Sequence, residues 1–185
     1  MIELDNITLR EYFELEDRSE YDFAILYAKP FQEVYDTFGI GSLFNKPFGK
    51  VKEFQQAHAE GLTWEQLTDW IAEFSGKKLF RISSTGILEF MKGKNHLFKE
   101  IETINTVEAE KLGYTPKAEE REAGIDDAKE FGFYPQLLSI ANGDGLRVKE
   151  AEELEYSYAF LYLSYSNWKS NYQTRLMELQ NKKLK

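Results

Sequence analysis

The chain has 185 residues, 42% of them hydrophobic and 15% aromatic, which excludes general disorder and suffices for one sizeable domain or two small ones. A formal net charge of −9 argues against a general nucleic-acid binder, since counterion release needs clustered Lys and Arg. With no cysteine, disulfides, thiolate catalysis and Cys-ligated zinc or iron–sulfur centres are excluded.

Charge is spread unevenly. Residues 1–45 carry 3 basic and 10 acidic side chains, residues 46–99 carry 9 and 6, and residues 100–185 carry 11 and 16. The basic middle suits an acidic partner, although an ordinary solvated surface explains the same unevenness. The opening Met1-Ile-Glu-Leu-Asp5 has no basic segment leading into an apolar run, so no signal peptide is expected. The most apolar stretch, Tyr156–Tyr165, is broken by serines and too short for a membrane span.

Thr8-Leu-Arg-Glu11 reads as a capping box that starts a short helix carrying Leu9, Tyr12, Phe13 and Leu15. Ser19 is placed to cap a second helix through Tyr21, Ile25 and Ala28, stopped at Pro30, with further helical turns over Phe31–Phe38. Three glycines and a proline between Phe38 and Gly49 predict a loop. Its Phe38, Leu43, Phe44 and Phe48 either pack down or meet a partner.

Residues 50–60 return to helical spacing through Val51, Phe54 and Ala57, ending at Gly61. Thr63-Trp-Glu-Gln66 is a second capping box, opening a helix with Trp64, Leu67, Trp70, Ile71 and Phe74 that Gly76 terminates. Alternation over 78–82 predicts one short strand or hairpin there. Ile87–Met91 suits one helix and Leu97–Leu112 another. Residues 115–131, charged and poor in large apolar groups, read as a linker or an exposed helix.

Tyr134–Ala141 reads as a short helix and Asn142-Gly-Asp-Gly145 as a turn. A helix of roughly 35 residues is expected to follow, well above the usual length. Leu154, Tyr158, Leu161, Tyr165, Trp168 and Tyr172 recur at alternating steps of four and three, which is a heptad seam. Tyr156, Phe160 and Leu163 form a second stripe, so the helix is expected to be covered on more than one side. The fold class is therefore mainly α: an irregular helical bundle with a long C-terminal helix. Its expected divisions are an N-terminal helical region (1–114), the charged segment (115–131) and a C-terminal helical hairpin (132–185).

No pattern singles out an active site. His58 and His96 are the only histidines; His96 has Glu100 one turn away but no third ligand, and no HExxH or ExxH occurs. Gly39-Ile-Gly41 has Phe44 where a dinucleotide fingerprint needs its third glycine. Gly49-Lys50 and Gly76-Lys77 lack the rest of a P-loop. Read as a calcium loop, Asn142–Gly145 would need ligands at Ile140 and Ala151, neither of which can coordinate. Ser75–Lys78 and Ser166–Lys169 repeat Ser-x-x-Lys in unrelated contexts. No metal and no cofactor are expected.

The run from Phe133-Tyr-Pro-Gln-Leu-Leu-Ser-Ile-Ala-Asn-Gly-Asp-Gly145 through Leu154-Glu-Tyr156 to Leu161-Tyr-Leu-Ser-Tyr165 resembles small structural and assembly proteins of tailed bacteriophages, of the tail assembly chaperone or head–tail component type. The resemblance lies in layout and covers about a third of the chain. It implies a non-enzymatic protein with other phage structural proteins, or copies of itself, as partners, and no direct contact with nucleic acid or membrane. It would act in the host cytoplasm during assembly and could stay in the virion. On this reading Tyr158, Tyr165, Trp168 and Tyr172 anchor a partner, and Phe38, Leu43, Phe44 and Phe48 form a second contact. Two alternatives remain open: a small cytosolic enzyme with a carboxylate or metal site, and an acidic regulatory binder.

Overall fold

The computed structural model describes residues 7–19, 21–22 and 34–183. The helix expected through Ile25 and Ala28 and its stop at Pro30 lie outside the described residues; of the helical turns expected over Phe31–Phe38, the described part, Val34–Phe38, is not helical. Along the described chain run α1 (Leu9–Glu14), α2 (Phe48–Glu60), α3 (Trp64–Ser75), α4 (Leu79–Ser83), α5 (Ile87–Leu112), α6 (Ala118–Glu122), α7 (Tyr134–Ile140), α8 (Val148–Glu153) and α9 (Tyr156–Lys183). Short 3₁₀ turns occupy Leu43–Asn45, Ile125–Phe131 and Gly145–Arg147. The protein is mainly α, as the patterning requires.

Both capping boxes form. Thr8 accepts from the Glu11 amide while Glu11 reaches back to the Thr8 amide at 2.8 Å, and Thr63 and Gln66 repeat the exchange at the start of α3. Gly76 ends α3 in the left-handed region at φ 67°, a conformation that glycine adopts without steric cost.

Three further expectations are corrected. Residues 78–82 are not a strand: α4 covers Leu79–Ser83, with Ile82 buried and Leu79 and Phe80 exposed. A five-residue alternation does not hold a strand without a partner to supply its ladder bonds, and the local bonds from Arg81 N–H to Lys78 and from Ser84 N–H to Phe80 satisfy the backbone instead. The two helices expected over 87–112 are one, α5, which runs through Gly93. That glycine admits the Phe38 ring, since a Cβ there would stand 2.3 Å from Phe38 Cδ2.

The long C-terminal helix is interrupted at Leu154, whose backbone is extended (φ −64°, ψ 138°), leaving α9 with 28 residues. The interruption has a tertiary cause. Phe48 N–H donates to the Leu154 carbonyl at 2.8 Å and Tyr156 N–H donates to the Lys46 carbonyl at 2.9 Å, forming one antiparallel bridge between Pro47 and Glu155. These two bonds replace helical ones, so the break leaves little unpaired.

The chain divides into two compact units, one of residues 1–43 and 54–103 and one of residues 44–53 and 104–185. The boundaries between the units fall in the 3₁₀ turn Leu43–Asn45, inside α2 and inside α5. In the first unit Leu9, Phe38, Ile40, Phe54, Ile71, Ile82, Phe90 and Leu97 form the core. Phe54 packs edge-on against Trp70 and Phe74, with ring centroids 5.4 and 5.5 Å away. In the second unit the core is built from Phe48, Val51, Ile104, Leu137, Ala151, Tyr156, Ala159 and Leu163. Residues 115–131 add nothing to it, since neither α6 nor the following 3₁₀ turn buries a side chain.

Candidate functional site

The side chains expected to make contacts fall into two groups. Phe38 and Leu43 are buried in the first unit, and Phe48 is fully buried in the second. Phe44, half-buried, lies edge-on to Tyr156 at 5.5 Å, and Phe48 stacks on the same ring at 5.7 Å. The loop is thus spent on the chain's own packing. It is pinned there by polar clasps within the first unit. Asp36 accepts from Ile40 N–H at 2.7 Å and Gly41 N–H at 2.8 Å, while Glu100 accepts from the Ser42 hydroxyl and Leu43 N–H. His96 Nε2 meets the Gly41 carbonyl at 3.2 Å, so His96 and Glu100 both hold the loop.

Helix α9 is the opposite case. Tyr156, Ala159 and Leu163 face inward, while Tyr158, Tyr165, Trp168 and Tyr172 are 62%, 58%, 59% and 53% exposed. Their rings lie along one outer stripe, with Tyr165 stacked on Trp168 at 5.9 Å and Trp168 on Tyr172 at 5.6 Å. Stacking along the helix leaves the outer ring faces and edges to water, a costly state for groups of this size. Sequence reasoning missed how far the stripe extends. Beyond Tyr172, Leu176 and Leu179 are also exposed, and the same alternation of three and four continues through Arg175 and Leu179 to Lys182. The signal was present in the spacing; the charged residues at its far end obscured it.

A second cluster was also missed. In the second unit Lys52 Nζ lies 2.6 and 2.8 Å from the two Glu108 carboxylate oxygens, and the Tyr156 hydroxyl donates to one of them at 2.6 Å. Lys52 is only 5% exposed. Burial lowers its pKa, and the Glu108 charge opposes that shift without cancelling it. Burial, then the charge and hydrogen bond of Glu108, push the Tyr156 phenol far above its ordinary range. The clue in the sequence is position: Lys52 follows Phe48, and Glu108 follows Ile104, by one helical turn on the buried stripe. The cluster ties α2, α5 and α9 together within the second unit.

Among the described residues, no group of three or more His, Asp or Glu side chains is arranged to hold a metal ion. The carboxylates with shifted pKa values, Glu11, Asp17, Asp36 and Glu120, all move down. At Glu11 the cause is the Thr8 amide, then its hydroxyl; at Glu120 it is the Tyr114 hydroxyl, then the Lys117 amide. A general acid needs the reverse shift. An open concavity lined by Glu120, Ala123, Ile125, Asp127, Ala128 and Phe131 pairs no nucleophile with a base. No helix among the described residues is long and apolar enough to cross a membrane.

Compared with protein families, curated proteins and solved structures, the chain matches none.

Proposed function

We propose that this chain is a non-enzymatic structural or assembly protein that works by protein–protein contact through the outer face of α9. The observation that carries the reading is the continuous exposed stripe of Tyr158, Leu161, Tyr165, Trp168 and Tyr172 on one rigid helix. A few desolvated aromatics supply most of the affinity of a protein interface, and rigid rings lose little entropy when covered. The setting is the one that the layout of the C-terminal third resembles, the assembly of tailed-phage particles. Its partners are particle proteins or copies of the chain itself, and it acts in the host cytoplasm.

The same stripe separates this reading from an acidic regulatory binder. From Tyr156 to Trp168 the helix carries no charged residue, whereas a mimic of nucleic acid needs carboxylates at phosphate-like spacing. Among the described residues the carboxylates with shifted pKa values all move down, which does not favour the enzyme reading.

The test is affinity capture with the full chain from its native source, comparing the wild type with a Tyr165→Ser, Trp168→Ser variant. The wild type is expected to retain a particle protein or copies of itself, and the variant to lose it. Equal retention by both would place the contact elsewhere and defeat the proposal.

A further inference from the structure

We infer that α9 pairs with α9 of a second copy, antiparallel, about a two-fold axis at Ser170. The inference rests on the contact role proposed for α9 and names its occupant.

Three observations carry it. The first is that, from Lys169 to Lys182, every residue of α9 is exposed. A helical stretch exposed all round lacks the packing that normally stabilises helices in water, so it gains most from a partner laid along it.

The second is the charge pattern of the stripe. In heptad terms Tyr158, Tyr165, Tyr172 and Leu179 take one seam position, and Leu161, Trp168, Arg175 and Lys182 take the other. A parallel pair would set Arg175 against Arg175 and Lys182 against Lys182. An antiparallel pair centred on Ser170 sets Leu161 against Leu179, Trp168 against Tyr172, Arg175 against Tyr165 and Lys182 against Tyr158, each layer occurring twice by symmetry. Both cations then lie over electron-rich rings instead of facing a like charge. The tyrosines of one seam position meet the cations of the other only when the helices run antiparallel, and the register about Ser170 is the one that also brings Tyr158 and Leu161 into the pair. Lys169 comes near its own copy at the flank, where it is exposed and water screens it.

The third is size. Tyr158, Leu161, Tyr165, Trp168, Tyr172 and Leu179 each expose more than half of their surface. Together they offer on the order of 700 Å² a copy, near the ~800 Å² a side of a standard interface. The paired region, Tyr158 to Lys182, spans about 36 Å of helix.

The absence of cysteine makes the register directly testable. Full-length Leu161→Cys and Leu179→Cys chains, carrying different tags, are oxidised alone and as a mixture. Both sites are exposed, so folding is preserved, and light scattering on the wild type gives the mass. The expected result is a wild-type dimer and, in the mixture, the 161–179 cross-link in excess of either homodimer, because a disulfide forms only between Cβ atoms a few ångströms apart. Arg175→Ala should weaken the dimer about tenfold, since two cation–ring layers are lost. Preferential 161–161 cross-linking would show a parallel pair and overturn the inference. So would a monomer at every concentration. If that monomer still loses a captured particle protein on the Tyr165→Ser, Trp168→Ser change, the contact role of α9 stands and self-pairing alone is wrong. If it loses nothing, both readings fall.

Discussion

Tyr156 and Glu108, on helices α9 and α5, meet through a 2.6 Å hydrogen bond whose accepting oxygen also lies 2.6 Å from Lys52 Nζ. Three elements of the second unit thereby share one buried carboxylate. Removing it takes from the buried Lys52 ammonium the carboxylate that offsets its desolvation cost. Glu108→Ala should therefore cost about 3–5 kcal/mol, read as a lower urea midpoint at unchanged slope. The pair Lys52→Met, Glu108→Leu should recover most of the loss, because the apolar substitutes fill the space without charge. If the single and double variants are equally unstable, packing volume rather than the lost ion pair dominates.

The phenols set the alkaline limit of stability. Burial, then its hydrogen bond to Asp22, raises Tyr12 to about 12, and Tyr156 is raised further by burial and Glu108. In the unfolded chain both ionise near ~10. Their contribution is full below that pH and falls as pH rises toward the folded values, by about 1.4 kcal/mol per pH unit per phenol. Lys52 acts oppositely: its folded pKa is lowered, so stability gains between that value and the ordinary lysine range, and the gain has ended once that range is passed. The phenols then act unopposed by it. Urea midpoints measured above pH 10.5 should fall steeply for the wild type, and Tyr156→Phe should remove about half of the slope that the two phenols contribute. An unchanged slope in the variant would show that Tyr156 is not held neutral.

Gly93 lies inside α5, two turns from its start, where alanine would ordinarily gain about 1 kcal/mol of helix propensity. Here the added methyl would lie 2.3 Å from Phe38 Cδ2 and 2.8 Å from Thr37 Oγ1. Phe38 is buried and edge-on to Phe90 at 6.3 Å, so the ring has little room to retreat. Gly93→Ala should destabilise by about 1–3 kcal/mol in chemical denaturation. Adding Phe38→Leu should relieve part of that, a coupling visible in a double-mutant cycle. Additivity would mean the two residues do not meet.

What the sequence made legible was local. Both capping boxes announce helix starts because Thr8–Glu11 and Thr63–Gln66 settle their hydrogen bonds within four residues. The break at Leu154 was not legible, because the heptad spacing runs straight through it and its cause, the amide of Phe48, lies far away in the chain. Nor was the direction of α9. Tyr156, Phe160 and Leu163 form as apolar a stripe as Tyr158, Tyr165 and Trp168, and periodicity alone does not say which one a core takes. Packing decides, through Phe48 stacked on Tyr156. The Phe38–Phe48 loop misled for a related reason: large apolar side chains in a glycine-rich segment mark contact, without saying whether the contact is internal.

The two aromatic groups should part clearly under mutation. Phe48 is fully buried and stacks on Tyr156, so Phe48→Ala should cost about 3–5 kcal/mol through lost burial and the cavity left behind. Trp168 stacks on rings one turn away on its own helix and is 59% exposed. Trp168→Ser should change the unfolding free energy of the dilute monomer by less than about 0.5 kcal/mol. Association should respond in reverse. Losing a central aromatic of an interface typically costs 2 kcal/mol or more, so the Trp168→Ser dissociation constant should rise about thirtyfold in sedimentation equilibrium. A Trp168→Ser chain that unfolds as easily as Phe48→Ala would make the outer face of α9 a folding surface and remove the reason to assign it a partner.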